Sequence, residues 1–263
     1  MDHVTYLTED FTCRDASGPP EDRGVAVNID DLANGILLAN EPLQYVPAGT
    51  TVTMNTGLVV PEGVTLILEE GTELYFKYMK YLDVYGTLEI RGTPDAKVIL
   101  GAASGTYGCA WMGVRVNNTS VDTHIDHAKI QYGCEGTSFK GAAGTVTNSE
   151  YFMNYKGISV YSGSSPNIEN SLINTNGYGL YINGNNNAAE NPSPIITNNA
   201  IIDNYYNSVY AIAFGNGNSN TVDARGNYWG TTDTTLIDSK IYDGRDISTS
   251  PIVDYSNYLS SAP

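Results

Sequence analysis

Between Ile125 and Ile212 the chain repeats itself, and that repeat narrows the possible folds more than any other feature. Laid in register it reads IDHAKIQYG from Ile125, VTNSEYFMN from Val146, IENSLINTN from Ile168 and ITNNAIIDN from Ile196. Each line opens on an apolar residue, and two positions later come His127, Asn148, Asn170 and Asn198. A second apolar column holds Ile130, Tyr151, Ile173 and Ile201, and a second corner column holds Gly133, Asn154, Asn176 and Asn204. The starts are 21, 22 and 28 residues apart. Short apolar strands with Asn/Gly corners at such a period make a solenoid, because one repeat cannot bury its apolar face without neighbours.

Strands of three to five residues with alternating Ile, Val and Leu bury one face and expose the other, which disfavours helical repeats. Coils stacked about 4.8 Å apart pair like strand with like strand in parallel. Asparagine suits the bends, since it tolerates left-handed backbone and its amides can bond from coil to coil. The expectation is an all-β, single-stranded parallel β-helix with Asn148, Asn170 and Asn198 as its asparagine ladder. At about 22 residues per coil, Val52 to Trp229 holds roughly eight coils. The expected organisation is one continuous domain: an irregular N-terminal cap over residues 1–45, the solenoid over 46–230 and a C-terminal cap over 231–263. Helix is expected only in the opening thirty-odd residues and in Thr231–Lys240. The polar insertion Asn183–Pro194 accounts for the 28-residue spacing.

Two passages carry a family resemblance. Pro61, Gly63, Val64, Thr65 and Leu66, then Gly86, Thr87, Leu88, Arg91, Gly92 and Thr93, resemble the opening coils of β-helix domains in large bacterial and archaeal surface proteins. Gly226-Asn227-Tyr228-Trp229-Gly230, followed by Ile241-Tyr242-Asp243-Gly244 and Ile252-Val253-Asp254-Tyr255, resembles the way such domains end. The pattern as a whole resembles the right-handed parallel β-helix proteins of the pectate-lyase-like superfamily. The resemblance implies a fold and a cell-surface setting rather than one activity. Trp229 is large enough to plug the last coil's apolar mouth.

The chain carries 13 basic against 29 acidic residues, a net charge of −16. Such a surface repels phosphate backbones, so nucleic acid is excluded as a partner. No apolar run approaches 18 residues, so no membrane insertion is expected, and the start lacks the apolar core of a signal peptide. An extracellular or cell-surface location is expected, the leader having been removed. Cys109 and Cys134 lie 25 residues apart, close to one coil, so they fall in adjacent rungs either as a disulfide or as two small buried residues; Cys13 is left over.

Three functional readings follow. The superfamily includes enzymes acting on acidic polysaccharides, and Thr123–Ile130 (THIDHAKI) resembles the Ile-Asp-His element of pectate lyases. Asp122, His124 and Asp126 share a strand parity, with Arg115 one coil earlier, which is what a calcium-dependent polysaccharide lyase or hydrolase would need. However, the arginine motif that supplies the base in pectate lyases is missing, and solvated carboxylates on a strand face explain the residues better. Twenty tyrosines support a binding surface better. Tyr155 and Tyr205, Tyr178 and Tyr206, and Tyr181 and Tyr210 recur at like positions, as a flat aromatic stripe for stacking on sugars would. A second aromatic cluster, Tyr75–Tyr85, adds Lys77 and Lys80, which either neutralise a carboxylate ligand or pair with Asp83 and Glu73. Third, open β-helix ends allow self-association into a surface filament or adhesin. Asp243 and Asp246, in an acidic C-terminal end, are the calcium candidates. The preferred reading is a non-catalytic binding or structural module with carbohydrate as its partner.

Overall fold

The computed structural model describes residues 24–38, 40–120 and 122–263; Cys13 and the first half of the expected cap lie outside them. Three parallel sheets wrap one tube. The first has eight strands, from Val25–Ala26 through Thr123–Asp126 and Ala143–Thr147 to Ile195–Thr197. The second has seven, from Thr51–Met54 to Ala200–Ile202, and the third eight, from Leu58–Val60 to Ile241–Tyr242. Chain order cycles first, second, third sheet, so each cycle is one coil. This is the expected single-stranded parallel β-helix.

Strand registers show why the apolar columns build it. Ile90, Ile125, Val146, Ile168 and Ile196 lie in register in the first sheet. Leu74, Leu100, Ile130, Tyr151, Ile173 and Ile201 do so in the second. All are buried, each side chain contributing about 1.5–3 kcal/mol. Tyr151 is the one polar tip in its column, and the facing sheet accommodates it: its hydroxyl lies 2.9 Å from the Thr137 hydroxyl, also buried. Burial pushes the Tyr151 phenol well above its ordinary range, so it stays neutral.

The corners revise the expected ladder. His127, Asn148, Asn170 and Asn198 have φ between 48° and 55°, and Tyr132, Met153, Thr175 and Asp203 between 52° and 64°. Each tight corner therefore turns through one left-handed residue, a conformation asparagine tolerates. Asn148 and Asn170 sit at the surface, where Asn198 donates to Asn170 and Asn148 Nδ2 donates to Asp126 at 2.8 Å. The buried ladders begin one residue further on. At the corner between second and third sheets, Asn154, Asn176 and Asn204 each accept the backbone N–H of the ladder residue one coil before, at 2.8–3.1 Å. At the corner between first and second sheets, Ser149, Ser171, Asn199 and Asn227 do the same at 2.9–3.1 Å. These side chains satisfy N–H groups that the turn removes from the sheets.

Short α-helices form in the two places where helix was expected. α1 (Ile29–Ala33) is capped by Asn28, buries Leu32, and accepts the Asn55 N–H on the Ala33 carbonyl, so it lies over the first strand of the second sheet. α2 (Thr234–Asp238) is capped by Asp233. Strands continue past the boundaries expected at 46 and 230: Leu43–Val46 pairs in the first sheet, and Ile241–Tyr242 closes the third. Trp229 is buried at the C-terminal end, edge-on to Tyr255.

Candidate functional site

All six expected binding tyrosines come together at the C-terminal end of the third sheet. Tyr178 is the hub, with ring centroids 5.8 Å from Tyr155, 5.6 Å from Tyr181, 5.1 Å from Tyr206 and 5.2 Å from Tyr210. Tyr205 stands edge-on to Tyr206 at 4.8 Å. Tyr181 and Tyr210 are in strand register, and Tyr242 extends that row by one strand.

Ring orientation divides this group in two. Tyr181, Tyr210 and Tyr242 stack face to face, with planes 17° and 18° apart and centroids 5.3 and 4.8 Å apart. Each ring covers its neighbour's face, so Tyr210 has neither face free for a ligand. The row is thus an upright stack showing edges and hydroxyls outward, not the flat stripe expected. Free ring surface lies instead at the corner leading into the sheet, where Tyr205 is 77% exposed, Tyr206 49% and Tyr155 43%.

That corner carries exposed tyrosines in four of the coils. Among the described residues six tyrosines are exposed, and five of them (Tyr78, Tyr107, Tyr155, Tyr205 and Tyr206) lie between second- and third-sheet strands; only Tyr85 lies elsewhere. Tyr107 escaped sequence reading because its loop, residues 103–110, interrupts the repeat.

Beside the stacked row is a charged cluster that the sequence did not single out. Glu135 accepts hydrogen bonds from Tyr161, from Ser159 at 3.2 Å and from Lys156 at 3.3 Å. Lys156 also lies 3.7 Å above the Tyr181 ring. Burial works against the Glu135 charge, but the Tyr161 hydroxyl and the Lys156 and Lys140 ammonium groups outweigh it and hold the carboxyl below the usual glutamate range. Tyr161 is pushed far up by burial and by Glu135. A depressed folded-state value means stability present above the ordinary range near 4.5 and lost as pH falls through the lower folded value. Glu135→Gln should therefore lower the melting temperature at neutral pH and flatten its fall below about pH 4.5, read by thermal denaturation from pH 7 to 2.

The expected catalytic set is not gathered. Arg115 belongs to the third sheet, where it pairs with Asp83 and lies 4.3 Å over the Tyr81 ring. Its carboxylate partner is thereby taken, so Lys80 and Lys77 do not pair with Asp83; Lys77 donates to Asn55 at 2.8 Å. Glu73 accepts from Tyr75. His124 and Asp126 lie on the first sheet, preceded by Asp122, which reaches His124 at 3.2 Å. Asp126 accepts from His127, Thr147 and Asn148, which hold its carboxyl low despite the cost of burial. Counting strand parity placed these side chains outward but missed the corner that separates Arg115 from the others.

The calcium candidates have other employment. Asp243 is fully buried, accepting from Val253 N–H at 2.8 Å, Arg245 N–H at 2.8 Å and the Arg245 guanidinium at 2.7 and 3.2 Å. Asp246 accepts the Asp243 N–H at 2.9 Å. Among the described residues no three His, Cys, Asp or Glu side chains converge as metal ligands. Cys109 and Cys134 form a disulfide. Open clefts of about 540 Å³ beside Arg245 and Tyr255, and about 330 Å³ beside Asp223 and Arg225, lie away from the tyrosine corner. No helix among the described residues is long and apolar enough to cross a membrane.

Compared with known proteins, the chain matches no family model, no curated protein and no solved structure.

Proposed function

We propose that this chain is a non-catalytic extracellular or cell-surface module that binds carbohydrate through the tyrosines at the corner between its second and third sheets. One observation carries the reading: five of six exposed tyrosines share that corner, while the tyrosines on the adjoining sheet cover one another. Exposed phenol rings with free faces and wet hydroxyls suit a pyranose, whose C–H faces stack and whose hydroxyls hydrogen-bond. The joined rings of Tyr155, Tyr178, Tyr205 and Tyr206 form an aromatic patch on an acidic chain, a marker of an interaction site. The disulfide fits an oxidising compartment. The solenoid and the opening and closing motifs favour a right-handed β-helix of the pectate-lyase-like kind.

The test is calorimetric titration with neutral oligosaccharides, followed by chromatography of the recovered sugar. Binding with the sugar returned intact supports a module; shortened or unsaturated sugar would replace this reading with a polysaccharide-cleaving enzyme.

A further inference from the structure

The loop 103–110 does not belong to the repeat, yet it is held firmly in one place. It leaves the second sheet at Ala102, where its neighbours in later coils turn the same corner in a few residues. Cys109 is bonded to Cys134 and has φ +74°, a left-handed backbone that a non-glycine residue adopts only where its surroundings hold it. Ala110 N–H donates to the Tyr107 and Tyr132 carbonyls at 3.2 and 2.9 Å. Gly108 packs so tightly on the Asn154–Tyr155 backbone that a Cβ there would come 2.7 Å from the Tyr155 nitrogen. The loop thus reaches along the solenoid, over the coil of Tyr132, and rests on Tyr155. Tyr107, 58% exposed, is carried into the interval between Tyr78 and Tyr155.

We propose that Tyr107 is a further binding residue of this corner, positioned by the Cys109–Cys134 disulfide, and that the ligand is a neutral pyranose chain lying along the solenoid axis. The inference rests on the carbohydrate reading above and gives it a direction and a length. From the coil of Tyr78 to the coil of Tyr205 is five rungs, about 24 Å at the spacing of paired strands. Such a row is longer than one or two sugars and runs parallel to the axis. Neutrality follows from charge. The chain's net −16 repels a polyanion.

The experiment titrates cellohexaose, xylohexaose and mannohexaose, and the matching trisaccharides, into four proteins. These are the wild type, Tyr107→Ala, Cys109→Ser/Cys134→Ser, and the triple variant. At least one hexasaccharide should bind the wild type about tenfold more tightly than its trisaccharide. Tyr107→Ala should remove most of that advantage and leave trisaccharide affinity within about twofold. The cysteine variant should do the same, with no further loss in the triple variant, because both changes remove one contact. Equal affinity for short and long chains, or a Tyr107→Ala protein that binds hexasaccharide like the wild type, overturns the proposal. If no sugar binds the wild type, the carbohydrate reading itself falls. Hydrogen exchange then tests the pinning alone: the Ala110 amide should exchange faster in the cysteine variant, and unchanged exchange would overturn it.

Discussion

Replacing Asn176 by alanine should cost about 3–6 kcal/mol of unfolding free energy, the largest effect expected of any side chain outside the apolar core. Its Oδ1 accepts both the backbone N–H and the side-chain amide of Asn154 at 3.0 Å. Its Nδ2 donates to the Tyr151 carbonyl at 3.0 Å and to Asn204 at 3.1 Å. Alanine keeps none of these bonds. Asn154 N–H and one proton of the Asn154 side-chain amide would then be buried with no partner, at about 1–3 kcal/mol each, with a cavity beside them. The surface column supplies the control. Asn170 has φ +51° and contributes a conformation and a bond from exposed Asn198. Asn170→Ala should cost about 1–2 kcal/mol, and Asn170→Gly about zero, since glycine adopts that backbone freely. Urea denaturation of the three variants measures the contrast, and similar losses at both positions would refute the assignment of ladder and corner.

Asp243→Ala should be the second largest loss, about 2–4 kcal/mol. Breaking a buried ion pair by removing one partner typically costs about 3–5 kcal/mol, discounted here because Arg245 is 43% exposed and keeps contact with Asp238 at 3.5 Å. The orphaned groups are backbone: the Val253 and Arg245 N–H donors both end on Asp243. Val253 belongs to the strand Ile252–Asp254, which pairs with Thr221–Asp223, so the carboxylate latches the last segment to the solenoid. Damage should begin there. Limited proteolysis should cut the variant within residues 240–258 before it cuts the body. Calcium should leave the wild-type melting temperature unchanged, because the four hydrogen bonds to Asp243 already use its lone pairs; a rise of several degrees would reinstate these aspartates as ligands.

How far the sequence could be read depended on whether a feature repeats. Ile130, Tyr151, Ile173 and Ile201 recur 21, 22 and 28 residues apart, the last step lengthened by one polar insertion, so the core and the parallel sheets were legible from the period. The outer column, where Asn198 bonds Asn170, was legible, but the buried ladder was not, because Asn148 and Asn154 look alike in a sequence. One turns the backbone outside and the other bonds it inside, and only φ and burial separate them. Arg115 was grouped with Asp126 because a corner cannot be counted from strand parity. The tyrosine rows were legible as recurrence, whereas stacking along the row was not: residues one strand apart can turn their faces together and deny them to a ligand. Tyr107 lay in a loop with no counterpart in other coils, so no comparison between repeats could point to it.

The distinction between covered and free rings is the core of the functional account, and one comparison tests it. Tyr205→Ala and Tyr210→Ala remove the same side chain from the same tyrosine group, one from the exposed corner and one from the middle of the stack. Calorimetry with the neutral oligosaccharide that binds best should show Tyr205→Ala weakened about tenfold or more and Tyr210→Ala within about twofold of the wild type. The reverse order, or equal losses in both, would contradict a corner site and return the ligand to the sheet face.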